Sequence, residues 1–327
     1  MRTRSTPGIL AALVLSIAPG CGPAKEPVVA PPRGTEIEPP SAELTPGTEL
    51  PTGLVQPAGV AEESPAGGLA PRGWYTNEAL VPHEQTRAMV LMYHSFENGT
   101  ARRGITASVL DAQLSFLERK HVVFVPMHEF LRWREGEREL PARVAVLTID
   151  DGEKTFYDHG FAVFKKHDAP FTLGIPTAAI EQSKERKLTM SWDQLREILA
   201  SGLAEIASHG HTHTALAKLP ADKMRLEARR PKELIESELG VTPETFFFPL
   251  GSMNDAALGE IELAGYRAAF GAVGGKISDD TSRFRIPRFG VANDTTPFHM
   301  TRFLANSGID VKVCDSPAET RCDSGRW

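Results

Sequence analysis

Two aspartates and two histidines have the types and spacing expected of a metal site. Asp150 and Asp151 follow the apolar run 144–149 directly, and His209 and His213 lie four residues apart after a second apolar run. Carboxylates at the end of a buried strand cost free energy unless a positive charge compensates them. Oxygen and imidazole ligands together suit zinc or a similar divalent ion. The alternative interpretation of the two aspartates is a turn that caps the following helix.

Other polar or turn-forming residues also follow apolar runs. His94 ends the run 88–93, and the sequence Pro-Leu-Gly at 249–251 ends the run 245–248. Arg288 lies in a later β-prone stretch, 284–291. Successive side chains of a strand point to opposite sides, so Asp150 and the residue after it are expected to have different roles.

Apolar strands and amphipathic helices alternate about seven times between residue 88 and residue 306. We predict strands at 88–93, 121–125, 144–149, 171–175, 203–207, 245–248, 267–272 and 284–291. We predict a helix from Ser108, with Asp111 in a capping box, and a helix over 221–239 that Pro231 kinks or splits. This alternation favours parallel β/α units, closed into a barrel or wound as an open sheet. In both architectures the active site lies at the carboxyl ends of the strands.

The size and charge of the chain limit its function class. It has 327 residues, a formal net charge of −6 and 41% hydrophobic residues, enough for one large folded domain. The mild negative charge gives no reason to expect a nucleic acid partner.

The first 85 residues are predicted to precede the folded domain. Arginines before the apolar run 9–17 predict an export signal over residues 1–21. Cys21 after small residues resembles a bacterial lipoprotein signal, which would attach the chain to a membrane through a lipid; ordinary cleavage is the alternative. Residues 22–85 contain 12 of the 25 prolines and are predicted to be a disordered tether.

The folded domain is predicted over residues 86–306 and a polar tail over 307–327. Cys314 and Cys322 lie eight positions apart in this tail. In an exported chain we expect them to form a disulfide, because the compartment is oxidising.

The ordered motifs between residues 88 and 305 resemble the NodB-type polysaccharide deacetylases, carbohydrate esterase family four. The matching segments are LMYH at 91–94, TIDDG at 148–152, SWDQL at 191–195, SHGHTH at 208–213, FPLG at 248–251 and RIPR at 285–288. The resemblance implies a distorted (β/α) barrel with about seven parallel strands in a single catalytic domain. It also implies an exported, lipid-linked enzyme of the cell envelope.

The resemblance implies a role for each site residue. Asp151, His209 and His213 would bind a divalent metal, Zn²⁺ first and Co²⁺ or Ni²⁺ as alternatives. Asp150 would be the general base toward the attacking water, and the backbone N–H of Leu250 would stabilise the oxyanion.

Two further roles concern the acid and the partner of the base. Most of the family uses a late histidine as general acid, whereas this chain has only His299 there, on the predicted last helix. In the branch of the family with an early Tyr-His that histidine serves instead, so the resemblance assigns the acid to His94. Arg288 would pair with Asp150 and keep it ionised. The family's third motif, here FFFP at 246–249, lacks the arginine that the family often places beside the base.

The resemblance predicts a hydrolase of amide bonds that removes N-acetyl groups from an envelope or extracellular polysaccharide. Two alternatives remain at this point: an O-acetyl esterase on the same scaffold, and a non-catalytic glycan-binding lipoprotein. The alternative of a pure binding protein gives no reason for a second aspartate beside a complete set of metal ligands.

Overall fold

The computed structural model describes residue 75 and residues 78–97, 104–182 and 188–311. The predicted signal over 1–21, lipid attachment at Cys21 and disulfide between Cys314 and Cys322 lie outside these residues. Most of the predicted tether lies outside them as well. Within the described part, regular structure begins at residue 80, before the predicted domain start at residue 86.

Parallel strands form the centre of the fold. The strands are β1 (Leu80–Val81), β2 (Arg87–Tyr93), β3 (Val123–Phe124), β4 (Leu140–Pro141), β5 (Arg143–Ile149), β6 (Phe171–Ile175), β7 (Ala204–Ser208), β8 (Thr245–Phe247), β9 (Ala268–Phe270) and β10 (Phe289–Gly290). Seven of them pair in parallel in the order β10-β2-β5-β6-β7-β8-β9. β3 adds to β5, while β1 and β4 form a separate antiparallel pair. The prediction of about seven parallel strands is confirmed.

Helices follow the strands and cover the sheet. They are α1 (Ala107–Arg119), α2 (Met127–Arg134), α3 (Phe161–Lys166), α4 (Thr177–Glu181), α5 (Trp192–Ala200), α6 (Ala221–Leu239), α7 (Asp255–Leu263) and α8 (Pro297–Asn306). Among the described residues, none of these helices combines the length and the apolar character needed to span a bilayer.

Alternate residues of the central strands pack into two different cores. On β5, Ala145 and Leu147 join the core beneath the helices, whereas Val144 and Val146 pack with Phe247 and other residues inside the curled sheet. Because strand side chains alternate, Asp150 continues the inward-facing row of Val146. The same parity places His94 in the inward row of β2 and His209 in that of β7, since Val90 and Ala207 belong to the inner core. Strand parity therefore directs the side chains of His94, Asp150 and His209 into the same interior.

One irregular segment curls the sheet toward a barrel. Ile286 bridges Phe270 at one edge of the sheet, and β10, three residues later, pairs with β2 at the other edge. The predicted strand over 284–291 is wrong in length, because only β10 is regular there. Pro287 separates the two contacts and has no N–H to give to a ladder, which explains the interruption.

Three other local predictions need correction. Helix α1 begins at Ala107 and is capped by Thr106, whose side chain accepts a hydrogen bond from Val109 N, so the cap is not Ser108. The strand predicted over 121–125 shortens to β3, because His121 adopts a left-handed φ of 56° in the turn after α1. Pro231 does not split α6, whose buried face continues past it.

The helix predicted over 156–166 is also divided. A π-helical turn covers residues 156–160, and α3 begins at Phe161.

Candidate active site

Asp151, His209 and His213 form a compact cluster of metal-ligating groups. The Nε2 atom of His213 lies 3.0 Å from Asp151 Oδ1, and the Nε2 atom of His209 lies 3.3 Å from the same oxygen. One ligand atom from each residue falls within 4.8 Å of the other two. Asp151 comes directly after β5, and His209 directly after β7, so parallel strand ends bring together residues 58 positions apart.

The hydrogen bonds around the cluster test whether it fits a cation. His209 Nδ1 lies 2.8 Å from the carbonyl oxygen of Phe247, which can only accept, so this nitrogen carries the proton. The lone pair of neutral His209 is then on Nε2, facing Asp151. Within the described chain, buried Asp151 Oδ1 has no hydrogen-bond partner of good geometry, despite the two nearby imidazoles. Lone pairs converging on one point suit a divalent cation.

Three residues of the site adopt left-handed backbone conformations. Asp151, His213 and Leu250 have φ values of 71°, 57° and 57°. Non-glycine residues in this region cost about 1 kcal/mol or more, and such strain concentrates at functional sites. Periodicity in the sequence carries no signal for this feature, so sequence reasoning missed it.

Asp150 lies in a buried ion pair with Arg288. Nη1 of Arg288 is 2.7 Å from Asp150 Oδ1 and Nη2 is 2.8 Å from Oδ2, and the arginine is fully buried. Its Nε donates to Gly271 O at 2.8 Å, and its guanidinium lies 4.4 Å from the centre of the Phe247 ring. Burial, the largest single effect, would raise the pKa of Asp150, but the charge and hydrogen bonds of Arg288 together with the charges of His209 and His94 outweigh it and lower the pKa. Asp150 therefore stays ionised.

The Thr148 hydroxyl is a further hydrogen-bond partner of this ion pair. Its hydroxyl accepts from Arg288 Nη1 at 3.1 Å and donates to Leu91 O at 2.8 Å. It precedes Asp150 by two residues on the same strand face, so the period of the strand was a signal that could have identified it.

His94 lies next to Asp150 at the strand ends. β2 and β5 are paired in register, and Asp150 N donates to Tyr93 O at 3.0 Å. His94 is buried with 6% exposure, and its positive charge would favour the ionised form of both Asp150 and Asp151.

A pocket of about 260 Å³ joins these residues. Its polar lining is His94, Asp150, Asp151, His209 and His213, and its apolar lining includes Met92, Phe248, Leu250, Ala272 and Val291. Leu250 sits in the turn after β8, with its side chain 62% exposed. Six of the seven predicted site residues therefore line one pocket, and Arg288 lies behind it.

The family model and the relatives found by comparison with known proteins point to the same family. The family model described as polysaccharide deacetylase matches residues 137–269. The poly-β-1,6-N-acetyl-D-glucosamine N-deacetylase of Staphylococcus aureus (strain MRSA252) is 27% identical over 199 residues, covering 58% of this chain and 68% of that protein. Over these residues the chain is similar to the polysaccharide deacetylase family, as the sequence motifs predicted. The predicted enzyme class, a carbohydrate deacetylase acting on amide bonds, is confirmed by these matches.

More distant relatives and solved structures agree. The poly-β-1,6-N-acetyl-D-glucosamine N-deacetylase of Escherichia coli O157:H7 is 24% identical over 247 residues, covering 63% of this chain and 37% of that protein. The structure of IcaB from Ammonifex degensii superposes with a TM-score of 0.59 at 25% identity, covering 69% of this chain and 98% of that one. The Streptococcus pyogenes deacetylase PplD gives a TM-score of 0.62 at 19% identity, covering 69% and 99%, and shows the shared fold.

His211, the remaining histidine of the SHGHTH segment at 208–213, turns away from the cluster. His211 Nδ1 lies 2.9 Å from Thr177 Oγ1, and its backbone carbonyl accepts from Ala178 N at 2.9 Å. The three histidines of the loop thus have separate partners, and only the first and third approach Asp151.

Two supporting residues carried no sequence signal. Glu227 in α6 contacts the backbone of the loop that bears the histidines. Gly174 in β6 leaves room for Phe247 and Asp150, because a Cβ there would lie 2.6 Å from Phe247 Cδ2 and 3.2 Å from Asp150 Oδ1. Both depend on contacts between segments that are distant in the chain.

Proposed function

We propose that this deacetylase removes N-acetyl groups from a polymer of N-acetylglucosamine, with the poly-β-1,6-linked polymer as its first candidate substrate. The names of the curated relatives support this substrate. The observation that carries the proposal is the buried Asp150, held ionised by Arg288, beside a cluster able to bind one cation. A pocket of this size accommodates an acetamido group with part of its sugar ring.

The proposed metal ligands are Asp151, His209 and His213. Their mixture of oxygen and imidazole donors suits Zn²⁺ first, with Co²⁺ or Ni²⁺ as alternatives. When bound, such an ion lowers the pKa of a water molecule and polarises the substrate carbonyl.

Asp150 is the proposed general base. It accepts the proton of the water that attacks the acetyl carbonyl, which requires a carboxylate that is ionised before the reaction. Arg288 supplies this condition through two hydrogen bonds and orients both oxygens. Asp150 Oδ2 also lies 3.9 Å from His209 Nε2, so the base adjoins the ligand cluster.

Leu250 and His94 are proposed to act on the two ends of the scissile amide bond. The backbone N–H of Leu250, at the pocket rim, donates to the oxygen that becomes negative in the tetrahedral intermediate. The exposed Leu250 side chain is not required for this role. His94 donates a proton to the sugar nitrogen, which must be protonated to leave as an amine.

The proposed location is the cell envelope. The sequence over residues 1–21 supports export, and Cys21 supports a lipid anchor with residues 22–85 as the tether. We also propose the Cys314–Cys322 disulfide. Metabolic labelling with a palmitate analogue should mark the wild type and not Cys21→Ser.

Acetate release tests the proposed activity. The purified protein is assayed on β-1,6-linked N-acetylglucosamine oligomers, chitin oligomers, peptidoglycan and acetylxylan, with chelator and after addition of Zn²⁺ or Co²⁺. We expect release from the β-1,6 oligomers that chelator abolishes and metal restores. Asp150→Asn should lower the rate about 10²–10⁴-fold, the usual contribution of a general base. Release from acetylxylan alone would instead indicate an esterase, and binding without release a glycan-binding protein.

A further inference from the structure

The loop that carries His209 and His213 needs support from outside itself. Residues 209–213 have no helix or strand structure, so no regular ladder fixes their backbone. The loop includes left-handed conformations at Gly210 (φ 73°) and His213 (φ 57°). Two imidazoles can share one ion only if this short, irregular stretch keeps its shape.

Glu227 of α6 forms hydrogen bonds with one side of this loop. Its Oε2 accepts from His211 N at 2.7 Å and from Thr212 N at 2.9 Å, and its Oε1 accepts from Thr212 Oγ1 at 2.6 Å. The glutamate is only 4% exposed. A buried carboxylate with several donors forms strong, charge-assisted hydrogen bonds.

The opposite side of the loop is held by other elements. The carbonyl of Gly210 accepts from Thr177 N at 3.3 Å, and that of His211 accepts from Ala178 N at 2.9 Å, both at the start of α4. The N–H groups of His211 and Thr212 thus point to Glu227, and the carbonyls of Gly210 and His211 point to α4. Removing either partner leaves backbone N–H or C=O groups of the loop without their protein hydrogen bonds.

The close approach of Glu227 also explains the glycine of the motif. A Cβ at Gly210 would lie 2.9 Å from Glu227 Oε2, and the positive φ disfavours other residues as well. The glycine and the glutamate therefore form one arrangement, although they lie on different elements.

We infer that Glu227 is a positioning residue for the metal-binding loop, acting through hydrogen bonds to His211 and Thr212 and not by touching the ion. The inference rests on the proposed function, because it takes His209 and His213 as ligands. Supporting groups of this kind change metal affinity by about 10–100-fold when they are removed.

A positioning role through hydrogen bonds and a purely electrostatic role predict opposite orders of metal affinity for two conservative variants of Glu227. In Glu227→Gln the amide oxygen can keep both backbone contacts, and the NH₂ group can donate to Thr212 Oγ1, which has Thr214 Oγ1 2.8 Å away as its own partner. In Glu227→Asp the charge stays, but the shorter side chain withdraws from the loop. Positioning predicts that Gln preserves metal affinity and Asp does not; a purely electrostatic effect predicts the reverse.

Metal affinity, measured by competition of the purified full chain with a fluorescent zinc chelator, tests the inference without an activity assay. We expect about 10–100-fold weaker Zn²⁺ binding for Glu227→Ala and Glu227→Asp, and no measurable loss for Glu227→Gln. Glu233→Ala, at an exposed position of the same helix, is the matched control and should bind like the wild type.

Amide hydrogen exchange on the metal-free proteins supplies a second readout. The loop segment that contains His211 and Thr212 should exchange faster in Glu227→Asp than in the wild type and in Glu227→Gln. Wild-type affinity in Glu227→Ala and Glu227→Asp, or equal losses in Glu227→Gln and Glu227→Asp, would overturn the inference. If the wild type itself binds no metal, the proposed function fails instead, so the two failures are distinct.

Discussion

Arg288 holds Asp150 through two parallel hydrogen bonds, Nη1 to Oδ1 at 2.7 Å and Nη2 to Oδ2 at 2.8 Å. The two residues lie 138 positions apart, on opposite sides of the β2 strand in the sheet order. Both are buried, so each neutralises a charge that would be costly alone. The pair therefore links the stability of the fold to the ionisation of the proposed base.

Arg288→Met should destabilise the protein and lower its rate of acetate release. Breaking a buried pair leaves the Asp150 carboxylate without its cation, and such losses typically cost about 3–5 kcal/mol. Urea unfolding of the metal-free protein measures this free energy. Arg285→Met is the control: its partner Asp255 is 99% exposed, so its loss should cost at most about 1 kcal/mol. Equal losses of unfolding free energy in the two variants would show that the buried pair stabilises the protein no more than the exposed pair does.

His94→Ala should separate amide from ester substrates. An amine must be protonated to leave, whereas an alcohol depends less on the acid, so the loss should reach about 10²–10⁴-fold on the amide and be smaller on the ester. Acetate release from matched N-acetyl and O-acetyl sugars gives the ratio.

The control for the acid is His299→Gln. His299 Nδ1 accepts the N-cap hydrogen bond of Thr296 N in α8, and glutamine can take the same capping position. This variant should retain activity. If His299→Gln is the inactive one, the general acid is the late histidine and the assignment to His94 is wrong.

Gly174→Ala should lower both stability and turnover. The new methyl group would lie 2.6 Å from Phe247 Cδ2 and 3.2 Å from Asp150 Oδ1, so the ring or the base must shift. Overpacking of this kind costs about 1–3 kcal/mol. Gly259→Ala in α7 is the matched control, because nothing lies within 4 Å of its Cβ. It should stabilise the helix by up to about 1 kcal/mol, and thermal unfolding would compare the two.

His128 should make the stability depend on pH. Burial alone lowers its pKa, but hydrogen bonding to Glu205 and the charges of Glu205, Glu129 and Glu244 outweigh this and raise the pKa above 6.5. A raised pKa in the folded state adds stability below the unfolded pKa, and this stability is lost as the pH rises through the folded pKa.

Urea unfolding in chelator at pH 5.5 and pH 9 tests this, with His128→Gln compared with the wild type. The free energy of unfolding of the wild type should exceed that of His128→Gln by more at pH 5.5 than at pH 9. Exposed His159→Gln should show no such trend. A difference between wild type and His128→Gln that grows toward pH 9 would contradict the sign.

The structure brings the candidate site residues together as the strand pattern predicts, whereas several neighbouring elements differ from the prediction. Asp150, Asp151 and His209 were identifiable because each ends a buried apolar run, and parallel strands gather such ends at one edge. The inward direction of Asp150 and His209 follows from strand parity with Val146 and Ala207, whereas Asp151 has the opposite parity and lies in the left-handed turn after β5. Arg288 was predicted through the family motif, and the structure places it on Asp150.

Other features depend on contacts that no local pattern encodes. Pro287 interrupts the last strand, so that one segment reaches both edges of the sheet. Glu227 lies in the middle of a helix whose charge pattern resembles any solvated face, yet it is buried against the histidine loop. The left-handed conformations of Asp151 and Leu250 arise from the turns that the assembled strands impose.

Zinc stoichiometry of three single-histidine variants tests the central claim most directly. The matched set is His209→Ala, His213→Ala and His211→Ala, which change three histidines of one five-residue loop. Elemental analysis after equilibrium dialysis should find one ion per wild-type and His211→Ala chain, because the His211 ring contacts Thr177 and not the cluster. His209→Ala and His213→Ala should retain none at the same free zinc concentration. A full zinc complement in those two variants, or its loss only in His211→Ala, would contradict the account.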